Sequence, residues 1–109
     1  MEMIRENTDW GAVYRYSGKN YRFALYIYND DTKTMYLSNF RVEPKARKHG
    51  LGNAILVTIE NESKKYGADN IALKVLKSSW VHDWYERKGY VDFADDKEDN
   101  SFIWMKKRI

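Results

Sequence analysis

Residues Val42 to Leu56 read VEPKARKHGLGNAIL. A proline, a short run of cations and two glycines flanking a leucine separate an aromatic-rich stretch from the start of a helical pattern. Pro44 has no N–H for a ladder and pushes Glu43 toward an extended conformation, so a strand ends there. Beyond Gly50, Leu51, Ala54, Ile55, Thr58 and Ile59 recur at spacings of three and four, and Lys64, Lys65 and Gly67 close the pattern as a helix C-terminus prefers. The stretch therefore reads as a strand-to-helix junction. The first turn of that helix has backbone N–H groups without intrahelical partners, at the positive end of the helix dipole. Glycines at 50 and 52 leave those donors uncovered, and Arg47, Lys48 and His49 add positive charge, which suits a phosphate. On these residues alone, a plain turn between strand and helix stays open as the other reading.

Working outward, Trp10 to Tyr16 and Tyr21 to Tyr28 are aromatic and β-branched runs separated by Ser17-Gly18-Lys19-Asn20, a hairpin signal. Asn29 to Lys33 is a second turn, and Thr34 to Val42 a third strand. On the far side of the helix, Asn70 to Leu76 (NIALKVL) reads as a buried strand. Ser79 caps a second helix carrying Trp80, Val81, Trp84 and Tyr85, which stops at Gly89. Tyr90 to Phe93 and Phe102 to Lys106 form a closing hairpin around an acidic loop. The expected order is β-β-β-α-β-α-β-β, an α/β (α+β) fold in one domain, 1–109. Its sheet is mixed but mostly antiparallel, with helices packed on it.

The 109 residues suffice for one core. There is no cysteine, which excludes disulfides and thiolate chemistry, and the two histidines, His49 and His82, lie far apart, so no metal site is expected. The first ten residues do not form a signal peptide and no apolar run reaches membrane-spanning length, so a soluble, cytoplasmic protein is expected. A net charge of +3 permits an anionic ligand. Nucleic acid is disfavoured, because the basic cluster is short and the acidic stretch Asp95 to Asp99 opposes it. No G-x-G-x-x-G is present, since Ile55 stands where the third glycine belongs, and Gly18-Lys19 lacks the context of a phosphate-binding lysine loop.

Val42, Pro44, Arg47, Gly50 and Gly52, in the pattern V-x-P-x-x-R-x-x-G-x-G, resemble motif A of the GNAT N-acetyltransferases. Ser78 to Val91, SSWVHDWYERKGYV, looks like their motif B, with Tyr85 four residues ahead of Gly89-Tyr90. The resemblance implies transfer of an acetyl group from acetyl-coenzyme A to a primary amine by direct attack. It implies that the backbone at Phe40 and Val42 pairs with pantetheine. Arg47, Lys48, His49, Gly50, Leu51, Gly52 and Asn53 would hold the pyrophosphate, and Ser78 stands where the motif usually has an asparagine. Tyr85 is the implied general acid. Two departures accompany this. Tyr36 occupies the position where some members carry a glutamate base, and only about ten residues precede the first strand, where the family usually has two roofing helices. An open acceptor groove or a covering second subunit is then expected, with Trp10, Tyr14, Tyr16, Tyr26 and Tyr28 forming an exposed patch suited to a homodimer. A non-catalytic acyl-CoA-binding or interaction module is the alternative.

Overall fold

The computed structural model describes residues 1–109, apart from the side chain of Lys48. Seven strands form one sheet: β1 (Glu2–Asn7), β2 (Gly11–Gly18), β3 (Tyr21–Tyr28), β4 (Asp31–Val42), β5 (Asn70–Leu76), β6 (Val91–Asp95) and β7 (Phe102–Arg108). A short 3-10 helix (Pro44–His49) leads into α1 (Leu51–Lys65), and α2 (Trp80–Arg87) connects β5 to β6. The strands lie in the order β1-β2-β3-β4-β5-β7-β6. Every neighbouring pair is antiparallel except β4 with β5. The expected order is recovered with one strand added in front.

That added strand is a correction. EMIREN carries Glu2, Arg5 and Glu6, and all six of its residues are exposed, so it has no buried face to impress a period of two on the sequence. It exists because β2 offers a free edge, and the Glu2–Asn7 backbone pairs with Ser17–Ala12 in register.

The core sits between one face of the sheet and α1. Tyr14, Leu25 and Leu37 lie side by side across β2, β3 and β4, with Tyr16, Phe23, Met35, Ile71, Leu73 and Met105 around them. Ile55, Leu56 and Ile59 of α1 close over this row. Ile59 is fully buried, which by itself contributes about 1.5–3 kcal/mol. Tyr66, just past α1, stacks on Tyr14 at 4.0 Å between centroids and shares a 2.6 Å hydrogen bond with the Tyr16 hydroxyl. Tyr14 and Tyr16 are thus buried under the helix, and the expectation that they belong to an exposed patch is wrong. The alternation that puts them on one face did not say which face a helix would cover.

The opposite face carries Val13, Tyr26, Tyr36 and Ala72 in a cross-strand row. Along it runs an aromatic stripe, in which Trp10 meets Tyr28 at 5.0 Å, Tyr28 meets Tyr36 at 5.2 Å, and Tyr36 meets Trp104 at 5.9 Å. Among the described residues, no helix is long and apolar enough to cross a membrane.

Candidate functional site

Strands β4 and β5 pair only at Thr34–Tyr36 with Asn70–Ala72, although β4 runs on to Val42 and β5 to Leu76. Beyond Tyr36 they part. A bulge helps to bend β4 away: between Arg22 and Ala24 of β3 the opposing strand accommodates an extra residue, and Asn39 there takes a left-handed φ of 54°. Bulges turn a strand and increase its twist, and asparagine is among the few side chains that tolerate this φ.

Helix α2 stands at the open end of the resulting seam. Ser79 caps it, its hydroxyl accepting from the Val81 N–H at 3.2 Å, as the sequence led us to expect. The helix ends where the Tyr90 N–H returns to the Tyr85 carbonyl and Gly89 adopts φ 96°. Tyr90 is then driven inward, where its hydroxyl donates to Glu60 of α1 at 3.0 Å, and Lys107 of β7 binds the same carboxylate oxygen at 3.0 Å. Glu60 therefore fixes the position of α2 relative to α1 and the sheet.

Two cavities of about 440 and 450 Å³ flank the seam. The first is lined by Phe40, Val42, Arg47, Gly52, Trp84 and Tyr85, among others. The second reaches the aromatic face, with Tyr26, Tyr36 and Trp104 in its wall. Phe40, Val81 and Tyr85 border both. Tyr85 is 5% exposed, and its ring meets Trp84 and Tyr90 edge-on at 5.0 and 5.3 Å. Among the described residues its hydroxyl finds no hydrogen-bond partner, yet no wholly buried polar side-chain atom there lacks one, so this oxygen opens into the cavities. Burial pushes its pKa upward, which keeps the phenol protonated.

At the other end of the first cavity, the 3-10 helix is tied back to β4 by the Arg47 Nε, which donates to the Val42 carbonyl at 2.8 Å. This leaves the rest of the guanidinium facing the cleft. Gly50 ends the 3-10 helix and begins α1 with φ 74°, and no atom lies within 4 Å of where a Cβ would stand. Helix α1 has no side-chain cap and no acidic residue in its first turn. Its first N–H to return to the helix is that of Ala54, to the Gly50 carbonyl, so the N–H groups of Leu51, Gly52 and Asn53 point outward.

Of the residues singled out in the sequence, Phe40, Val42, Arg47, Gly52 and Tyr85 come together around one cleft. Leu51 turns its side chain onto the core, which leaves its backbone N–H as the only group it can offer a ligand. His49, Asn53 and Ser78 are exposed and lie outside the lining. The side chain of Lys48 lies outside the described residues. Sequence reading missed Arg41, Trp80, Val81 and Trp84 in the wall. The three α2 residues read as an apolar helix stripe, and only the 63% exposure of Trp80 at the cleft reveals that the stripe extends past the core.

A family model described as "Acetyltransferase (GNAT) domain" matches residues 6–109. Comparison with curated proteins finds no match. Among solved structures, the PaiA N-acetyltransferase of Thermoplasma acidophilum in complex with coenzyme A is 19% identical, with a TM-score of 0.72 over 89% of this chain and 60% of that one. Ard1 from Thermoplasma volcanium is 16% identical, with a TM-score of 0.72 over 93% and 71%. A GNAT family acetyltransferase from Elizabethkingia anophelis with acetyl-CoA bound is 17% identical, with a TM-score of 0.69 over 91% and 76%. At these identities the likeness is one of fold.

Proposed function

This chain belongs to the GNAT acetyltransferase family, and from that membership we propose that it transfers an acetyl group from acetyl-coenzyme A to a primary amine by direct attack. The observation that carries the reading is the first cleft itself. One cavity joins a parted pair of strands, a helix N-terminus with free N–H groups and a buried tyrosine whose hydroxyl has no partner.

The residues present fit the cofactor. A pyrophosphate needs N–H donors, positive charge and room for close approach. The turn Arg47–Asn53 offers all three: the outward N–H groups of α1, the guanidinium of Arg47 in the cleft wall, and the open space at Gly50. Val42 and Phe40 present the unpaired edge of β4 to an extended arm, as one strand presents itself to another. Ser78, in the turn ahead of α2, opens the second motif, the one that carries Tyr85, and is assigned a contact on that ground. Trp80 and Trp84 add an apolar wall. When bound, acetyl-coenzyme A supplies an activated thioester.

The chain's own contribution is positional and electrostatic. Backbone N–H groups of β4 near Phe40, freed where the strands part, are offered to the thioester carbonyl oxygen as charge develops on it. Tyr85 holds a proton for the departing sulfur. The burial that disfavours its phenolate equally disfavours a thiolate in the same cleft, so the two proton affinities rise together.

Calorimetry with coenzyme A, followed by acetyl-CoA turnover against a panel of amines, tests the proposal. Binding followed by amide formation is expected. Binding without turnover on any amine would make the protein an acyl-CoA-binding module, and absence of binding would refute the reading.

A further inference from the structure

Of the eight residues of α2, only Tyr85 is buried. The helix that carries the proton donor is therefore held by little of its own surface. Among the described residues the Tyr85 hydroxyl has no hydrogen-bond partner, so the place of that oxygen is set by what packs on its ring. Two rings do so, Trp84 and Tyr90. Trp84 belongs to the same helix and moves with it. Tyr90 is anchored elsewhere.

Tyr90 is 1% exposed, and its hydroxyl donates to Glu60 of α1 at 3.0 Å. The Lys107 ammonium sits on the same carboxylate oxygen at 3.0 Å and lies 5.6 Å from the Tyr90 ring centroid. Lys107 stands opposite Ile71 of β5, and its stem passes 3.4 Å from where a Cβ of Gly89 would be, close against the turn that leaves α2. One carboxylate thus joins the helix of the phosphate turn, the strand that backs β5 and the ring that abuts Tyr85. Only 17% of the Glu60 side chain and 29% of that of Lys107 are exposed, and a shielded charge pair is costly to break from one side. None of the three residues lines either cavity, so none is placed to touch a substrate. Burial, then the charge and hydrogen bond of Glu60, push the Tyr90 pKa upward, so its proton stays committed to the carboxylate.

Resting on the role proposed for Tyr85, we infer that Glu60 is a positioning residue for proton delivery: through Tyr90 it holds the Tyr85 ring where the hydroxyl meets the departing sulfur. As the amine nitrogen bonds to the acetyl carbon, the C–S bond breaks. Sulfur keeps the bonding pair and takes the Tyr85 proton, water reprotonates Tyr85, and the surplus proton on nitrogen passes to solvent. Glu60 neither gains nor loses a proton in this sequence. Its effect is one of distance, and a displacement of about 1 Å remote from the chemistry can cost about a hundredfold in rate.

Tyr90→Phe cuts the link by one atom and keeps both the ring and the Glu60–Lys107 pair. It should lower kcat for acetyl-CoA turnover about tenfold, with coenzyme A affinity, read by calorimetry, unchanged. Glu60→Gln should do the reverse. Its amide oxygen still accepts from Tyr90, so kcat stays within about threefold of wild type, while the lost charge pair lowers the melting temperature. The deciding measurement is a double-mutant cycle: once Tyr85→Phe has removed the donor, Tyr90→Phe should cost no further rate. A merely structural link would lower kcat by the same factor in both backgrounds. That result, or an unchanged kcat in Tyr90→Phe, would overturn the inference and leave Tyr85 as the acid. Wild-type turnover in Tyr85→Phe, or failure to bind coenzyme A, would overturn the inference together with the reading beneath it.

Discussion

Tyr36 and Ala72 are the last residues at which β4 and β5 stand in register. One step further the strands diverge, so Tyr36 marks the apex of the opening, and its ring stands edge-on to Tyr28 and Trp104 at 82° and 90°. Burial, then the nearby charges of Asp31, Tyr28 and Asp30, raise its pKa. A neutral phenol here takes no proton from an amine. On the proposed amine transfer, with Tyr36 unable to act as the base and the amine losing its proton to water, kcat/KM should rise about tenfold per pH unit from 6 to 9. A plateau beginning near pH 6–7 would instead disclose a base on the protein.

Asn39 holds the bulge with a φ of 54°. Asn39→Val places a β-branched side chain in the left-handed region, at a cost of about 1–3 kcal/mol. Asn39→Gly should be close to neutral. Denaturant midpoints and coenzyme A affinity should fall together in the valine variant only. Equal stability of the two would show that the bulge does not depend on residue 39.

Gly52 lies in ordinary helical conformation, and a Cβ there would stand 3.6 Å from Trp84, facing the cleft. Gly52→Ala should therefore stabilise the fold by up to about 1 kcal/mol while weakening coenzyme A binding, and Gly52→Glu should abolish binding. Gly50→Ala should instead cost about 1 kcal/mol, because its φ is 74°. Unchanged affinity in a folded Gly52→Glu protein would remove the phosphate from this turn.

Tyr85→Phe keeps the ring and its edge-on contacts with Trp84 and Tyr90. The melting temperature and coenzyme A affinity should hold, with kcat falling by roughly tenfold to a thousandfold. Identical turnover would leave Tyr85 as a packing residue.

His82 joins α2 to β6. Its Nε2 lies 2.7 Å from Asp92, and its Nδ1 lies 3.6 Å from both Asp83 and Glu86. The bond to Asp92, with the charges of Asp92 and Glu86, raises its pKa above the usual 6.5 against the opposing effect of burial. A raised value means the contribution to stability is whole below pH 6.5 and fades as pH climbs through the folded-state pKa. Melting temperatures measured from pH 5.5 to 9 should fall over that window in the wild type and more shallowly in Asp92→Asn. Parallel curves would show that the pair contributes nothing.

The sequence was most legible where chemistry and chain geometry coincide. Pro44, Gly50 and Gly67 punctuate strand, turn and helix, and the tyrosine ahead of Gly89-Tyr90 locates the second motif. It was least legible where partners decide. Glu2–Asn7 becomes a strand only because β2 has an edge to share, and no glycine announces the bulge at Asn39. The faces of Tyr14 and Tyr26 follow from alternation, but only the packing of Tyr66 and α1 determines which is covered. Trp80 had the spacing of a core residue and stands in the open.

The three-residue parallel register between β4 and β5 also bears on folding. Strands β1–β4 form a meander from contiguous chain and β6–β7 a hairpin, while the seam and the β5–β7 pairing both reach across a helix, the seam through three registered pairs and β5–β7 through seven. The seam is where loop-closure entropy is spent for few ladder bonds. A cofactor arm pairing with the free edge of β4 would act as an eighth strand splinting the two halves, so occupancy would raise the melting temperature by mass action. Amide exchange would then slow most at Leu37–Val42 and Leu73–Leu76, on the two lips of the seam, and least in β1.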